Sequence, residues 1–295
     1  MTMLTPGFQL CLLNRFELRL RDDVIVVPPG PQRLVTFLAL HGGALPRGRV
    51  AGTLWPDVPV GRANANLRAS IWRIPVPCRP IIELSRQDIR LAPDVTIDLT
   101  TAIALAQRLM DRSQNCNEED LGADARAELC SELLPTCYEE WILVECERFH
   151  QLRMHALEAL CERLTAIGRF GEAVDAGLAA VCAEPLRESA HRALIKAYLA
   201  EGNAGEAGRQ YEMYRRYIRD ELGVEPSDRM RTLMLGLPIR VHSTELRRRR
   251  LTDPAPLNSR PGQHSREKLP ISPMVEVITQ ELSQQSTPSH ATRLR

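Results

Sequence analysis

The sequence predicts an α+β chain: a small N-terminal antiparallel sheet with three short helices and a hairpin, followed by an all-α domain. Three observations lead there. Near the start, Phe16, Leu18 and Leu20 alternate with Glu17, Arg19 and Arg21, the period of a half-buried strand. From Asp98 onward, apolar residues recur at helical spacing instead. Within that second part, one segment repeats itself 34 residues later, the spacing of tetratricopeptide-like helix pairs. The 295 residues leave room for two or three domains, and the 44% hydrophobic and 25% charged content is ordinary for globular chains. No apolar run approaches the roughly 18 residues of a membrane span. No basic segment with a following apolar stretch opens the chain, so no secretory signal is expected and the expected location is cytoplasmic, with the nucleoid.

The elements follow in order. Phe8–Leu13, the alternating stretch to Leu20, and Val24–Val27 after an Arg21-Asp22-Asp23 turn make three short strands. Pro28-Pro29-Gly30-Pro31 ends the sheet and opens a helix that carries Leu34, Phe37, Leu38 and His41 on one face and stops at Gly42-Gly43. Arg49, Val50, Leu54 and Trp55 mark a second helix, stopped at Pro56. A third runs from Gly61 to Ile74, with Ala63, Leu67, Ser70, Ile71 and Ile74 at helical spacing and Pro75 behind it. Ile81–Leu84 and Ile89–Leu91, with a polar turn between them, form a hairpin.

The helical part begins with Ile103, Leu105 and Leu109, is interrupted by the acidic loop Asn115–Asp120, and resumes as a long apolar pattern from Trp141 to Leu164. Gly168-Arg169-Phe170-Gly171-Glu172-Ala173 then matches Gly202-Asn203-Ala204-Gly205-Glu206-Ala207, and Ala159-Leu160 matches Ala193-Leu194 at the same offset. The expected domains are 1–97, 98–237, and a basic tail over 238–295. That tail is rich in Pro, Ser, Gln, Thr and Arg, and is expected to be disordered. Its Arg247–Arg250 block reads as a solvated charge run in preference to an auxiliary nucleic-acid contact.

Charge divides the chain in the same places. Residues 1–97 carry +5, residues 98–237 carry −9 and residues 238–295 carry +5. A polyanion-binding head on a protein-interaction body has this pattern, and so does chance asymmetry between surfaces. The eight cysteines include no C-x-x-C pair and read as reduced, buried small hydrophobes. Phosphate-binding, zinc-hydrolase and nucleophile-elbow motifs are all missing, so no enzyme, no metal and no cofactor is expected.

A sheet, three helices and a hairpin occur in this order in a winged helix. Its third helix enters the major groove of DNA, and its hairpin touches the adjacent backbone or minor groove. The third helix has the two faces this needs. Ala63, Leu67, Ile71 and Ile74 point inward; Asn64, Asn66, Arg68, Ala69, Trp72 and Arg73 lie on the outer face and its flanks. Arginine pairs bidentately with guanine and asparagine with adenine. Arg47, Arg49 and Arg62 are placed to hold phosphates, and Arg86 sits at the tip of the wing.

Two stretches resemble a known family. Leu54-Trp55-Pro56-Asp57 with Asn66-Leu67-Arg68-Ala69-Ser70-Ile71-Trp72-Arg73-Ile74 is similar to the winged-helix half of the Streptomyces antibiotic regulatory protein (SARP) activators. Pro185–Leu194, Tyr211–Arg216 and Glu221–Ser227 resemble their bacterial transcriptional activation domain, and this second motif is the more specific. The resemblance covers about residues 8–236. It implies Arg73, Asn66 and Arg68 as recognition-helix contacts and Arg86 as a wing contact. It also implies a homodimer, head to tail on direct-repeat promoter sites, that recruits RNA polymerase. Pro75 departs from the family by cutting short the recognition helix, where relatives continue with basic residues. No phosphorylatable receiver segment and no nucleotide-binding module is read in the sequence, so the resemblance is to the small, two-domain members.

The expected function is therefore sequence-specific binding of double-stranded DNA and activation of transcription. A tetratricopeptide-like interaction scaffold without DNA binding is the alternative.

Overall fold

The computed structural model describes residues 7–113 and 116–235. The tail expected over 238–295 lies outside the described residues. The first sheet comprises β1 (Phe8–Cys11), β2 (Glu17–Leu20) and β3 (Asp23–Ile25), paired antiparallel in that order. Leu10 and Leu18 face each other in register and are both fully buried, as their alternation with polar neighbours predicts.

Three helices follow. α1 (Pro29–His41) begins on prolines, whose fixed φ suits a first turn, and ends at Gly42 and Gly43, both at positive φ near 60°. A two-residue strand β4 (Leu45–Pro46) leads into α2 (Arg47–Leu54), and α3 (Val60–Trp72) comes next. α3 stops two residues earlier than the apolar spacing suggests, with Arg73 at its C-cap. Pro75 is the cause: a residue before proline is pushed out of the helical region. Ala63, Leu67 and Ile74 are buried as expected, Ile71 only partly, and Ser70 is also buried. A Cβ on Gly30 would lie 3.3 Å from the Ser70 hydroxyl, which shows how closely α1 and α3 approach.

A 3₁₀ segment over Val76–Ile81 leads to the wing, β5 (Ile82–Leu84) and β6 (Asp88–Leu91), onto which β4 adds as a third strand. β7 (Thr96–Ile97) returns to the first sheet and pairs parallel with β1.

The rest is helical: α4 (Asp98–Met110), α5 (Ala123–Cys130), α6 (Glu140–Ala166), α7 (Phe170–Ala183), α8 (Glu188–Glu201), α9 (Ala204–Leu222) and α10 (Asp228–Leu235). The 34-residue repeat is visible in the turns. Gly168 and Gly202 end α6 and α8 at φ 78° and 93°, a conformation open to glycine at little cost. Phe170 and Ala204, two residues later, begin α7 and α9. No described helix is long and apolar enough to cross a membrane.

The head and the helical body share one core. Phe8, Leu34 and Phe37 from the head cluster with Leu99, Ala102, Leu133, Leu134 and Phe149 from the body. The Phe37 ring meets Trp141 edge-on at 5.1 Å, and Arg33 pairs with Glu139 at 2.6 Å. Among the cysteines, Cys78 and Cys161 are fully buried, whereas Cys130 and Cys182 are exposed. This corrects the expectation of eight buried thiols. Cys137 and Cys146 are half-buried and pack against the shared core.

Candidate nucleic-acid interface

α3 turns Ala63, Leu67 and Ser70 onto the core and leaves Arg62, Arg68, Ala69, Trp72 and Arg73 exposed along its outer side. Asn64 and Asn66 are half-buried on its two flanks. The Asn64 amide is already engaged, donating to the Val60 carbonyl at 2.9 Å, while Asn66 makes no such bond. Trp72 is 76% exposed, so most of a large apolar ring faces water next to Arg68 and Arg73.

The wing turn is held by Ser85. Its hydroxyl accepts the Asp88 N–H at 2.8 Å, and its own N–H donates to the Asp88 carbonyl at 3.0 Å. Arg86 is exposed at the tip. The wing is also fixed to α2, since the Arg47 N–H donates to the Gln87 carbonyl at 2.8 Å. Arg49 is exposed on α2, with Arg47 half-buried beside it.

Between α3 and the wing runs a groove of about 340 Å³ bounded by Arg47, Arg68, Trp72, Arg79 and Leu84. The sequence pattern points to neither Arg79 nor Leu84 as a site residue. Arg79 lies in the Pro77–Pro80 stretch, which reads as a connector, and only folding carries it back beside Arg47 and Arg68. The position of a charged residue between α3 and the hairpin is the available signal.

The electrostatics of this face are one-sided. Every arginine from 47 to 86 (Arg47, Arg49, Arg62, Arg68, Arg73, Arg79 and Arg86) has no carboxylate within 4 Å among the described residues. The arginines of the body behave differently: Arg108 pairs with Asp120, Arg126 with Asp175, Arg187 with Glu158 and Arg219 with Glu225. Neither α2 nor α3 has an acidic residue in its first turn, so the positive ends of both helix dipoles are left uncompensated. Unpaired guanidinium groups on a curved surface suit a polyanion that supplies the missing charge. Among the described residues, no cluster of His, Cys, Asp or Glu is placed to hold a metal ion.

Residues 101–237 match the bacterial transcriptional activator domain. Regulatory protein AfsR of Streptomyces coelicolor is 26% identical to this chain over 215 residues, covering 70% of the chain and 22% of AfsR. The body of the chain is thus similar to the bacterial transcriptional activator domain of transcriptional regulators. A likeness of fold extends beyond that domain. The solved structure of Mycobacterium tuberculosis EmbR, in complex with a low-affinity phosphopeptide, superposes with a TM-score of 0.61 over 78% of this chain and 64% of that one, at 17% identity. That likeness shows a shared fold. The chain spans about a fifth of AfsR and under two thirds of the EmbR chain. Within the body, the motif Pro185–Leu194 serves packing. The His191 ring is fully buried, donates to the Pro185 carbonyl at 2.8 Å and accepts from the Gln210 amide at 2.8 Å.

Proposed function

We propose that the chain is a sequence-specific activator that binds double-stranded DNA through α3 and the wing. Arg68, Ala69, Trp72 and Arg73 face base edges, with Asn66 on the flank. Arg47, Arg49, Arg62, Arg79 and Arg86 hold phosphates. Asn64, whose amide serves its own helix, is the weakest member of the set. The bound protein acts as a homodimer on direct repeats near promoters in the cytoplasm, with the acidic body turned away from the duplex and available to RNA polymerase. The run of seven unpaired arginines supports this reading most strongly.

The mechanism is binding without catalysis. Guanidinium groups displace condensed counterions from the phosphates, which gives affinity, and the helix face selects among base pairs. With the five phosphate-facing arginines engaged, log affinity falls with log salt at a slope of about −4.5 per protomer, and fewer contacts give a proportionally smaller slope. Genomic fragments titrated with the full chain at two salt concentrations test the proposal. A steep slope together with one preferred fragment supports it. Absence of salt-dependent binding leaves the helical-repeat scaffold without DNA binding as the function.

A further inference from the structure

The start of α6 presents a face that no part of the described molecule covers. Glu140, Leu143, Val144 and Glu147 follow each other at i, i+3, i+4 and i+7, so they share one side of the helix, and all four are exposed. Leu143 is 47% exposed, Val144 55% and the adjacent Tyr138 80%. Tyr138 and Leu143 border a groove of about 430 Å³ floored by Leu133, Leu134 and Phe149, which belong to the core shared by head and body. A floor built on that core is rigid, as a docking site requires.

The charges around the face are uneven. Glu132 is paired with Arg153, Glu139 with Arg33, and Glu145 with Arg148. Glu140 and Glu147 have no cation within 4 Å among the described residues, and Glu147 takes only an amide hydrogen bond from Gln151. Two unpaired carboxylates therefore bracket two exposed aliphatic side chains. This is the complement of a segment whose apolar residues are flanked by arginine or lysine.

We propose that this face of α6 and its groove dock a basic amphipathic segment of a partner protein. Apolar side chains of that segment enter the groove over Leu133 and Leu134, covering Leu143 and Tyr138. Its cations reach Glu140 and Glu147. The surface is formed by the body and stands independently of whether the head binds DNA.

The test uses the full chain and a fluorescein-labelled helical peptide of about 18 residues, with leucines on one face and arginines on its flanks. Its twin carries glutamate for every arginine. The expected result is saturable binding of the basic peptide and none of the twin. Leu143→Asp and Val144→Asp each weaken binding roughly tenfold, as for central contacts of an interface. Glu140→Lys combined with Glu147→Lys weakens it several-fold and flattens its salt dependence. All four positions are exposed, and circular dichroism checks that each variant is folded. The proposal is overturned by lack of saturable binding, by equal binding of the twin, or by variants that bind as the parent does. A variant that changes the sedimenting mass while peptide binding is unaltered would also overturn it, assigning the face to contact between copies of this chain. Binding of the same variants to DNA is measured in parallel and should be unchanged.

Discussion

The carboxylate of Asp98 accepts the backbone N–H of Leu12 at 2.9 Å and of Leu13 at 3.0 Å, although 86 and 85 residues separate them. The same side chain accepts the Leu99 N–H at 2.7 Å, so it opens α4 and closes β1 together. Around it the two regions are stitched by backbone. Asn14 N–H donates to the Glu132 carbonyl at 2.6 Å, and Leu134 N–H to the Leu12 carbonyl at 3.0 Å. Asp98→Ala leaves three N–H groups without their acceptor. Hydrogen bonds to charged groups contribute about 1.5–3 kcal/mol each, and the losses overlap, so a destabilisation of about 3 kcal/mol is expected. Asp98→Asn keeps one acceptor oxygen and should lose less. Urea unfolding measures both, and stability equal to the parent for Asp98→Ala would refute the joint.

Ending the chain at Ile97 has a larger effect. It removes Asp98 and also Leu99, Ala102, Leu133, Leu134 and Phe149, which complete the core around Phe8, Leu34 and Phe37. A 1–97 fragment is therefore expected to lose cooperative unfolding, whereas a fragment extended through α6 keeps it. Calorimetry of the two fragments checks this. A sharp transition in the shorter one would mean that the head needs no body.

Much of this architecture was legible because it is local. Alternation at Phe16–Leu20 shows a strand, Ala63 and Leu67 show the buried side of α3, and Gly168 and Gly202 mark equivalent turns. What was hidden depends on distant partners. β7 has two residues and pairs with β1 across most of the head, so no period announces it. The shared core is equally silent, since Phe37 and Trp141 each look like ordinary core residues until they meet. At the interface, the sequence displays the arginines of α2, α3 and the wing, but it cannot say which have carboxylate partners. Folding pairs Arg33 with Glu139 and leaves Arg68 alone, and this difference carries the functional argument.

His191 gives the body a specific pH response. Burial pushes its pKa below the usual value, so the folded protein holds the ring neutral between Pro185, Gln210 and the Tyr214 ring, 4.5 Å away. The unfolded chain takes up the proton near pH 6.5, before the folded one does. Stability is therefore complete above about pH 6.5 and declines below it, by up to about 1.4 kcal/mol per pH unit within the window. His191→Gln can still donate to Pro185 but cannot titrate. Its urea midpoint should change less than that of the parent between about pH 7 and about pH 5. An identical change in both proteins would show that other groups cause the decline. The carboxylates with lowered pKa, such as Asp120 beside Arg108, act at lower pH.

Gly177 sets the distance between three helices of the repeat. A Cβ there would lie 3.1 Å from Leu194 Cβ and Cδ1 and 3.2 Å from Cys161 Sγ, tighter than ordinary contact. Both neighbours are fully buried, so neither has free space to move into. Gly177→Ala is expected to destabilise by about 1–2 kcal/mol despite the better helix propensity of alanine, and Gly177→Val by about 3 kcal/mol or more. Gly171, on the same helix, has no atom within 4 Å of its added Cβ. Gly171→Ala should therefore be neutral or stabilising. A thermal melt of the three variants separates packing from propensity, and equal behaviour of the two alanine variants would remove Gly177 from its role as spacer.

The arginines of the head should divide into two classes. Arg47 and Arg79, which lie outside α3, border the groove between that helix and the wing, where a phosphate strand passing between the two would lie. Replacing either by alanine should weaken all duplexes alike and reduce the salt slope by about one. Arg73 sits on α3's exposed outer side at its C-cap, and Arg73→Ala should cost roughly 1–3 kcal/mol on the preferred duplex while relaxing selection at one base pair. Pro75 sharpens the test, because it ends the helix immediately behind Arg73 and leaves no further turn to enter the groove. Competition between a preferred and a scrambled duplex, repeated at two salt concentrations, reads both quantities from one titration. If Arg79→Ala alters base preference with its slope intact, the groove beside the wing reads sequence and the phosphate path must run elsewhere.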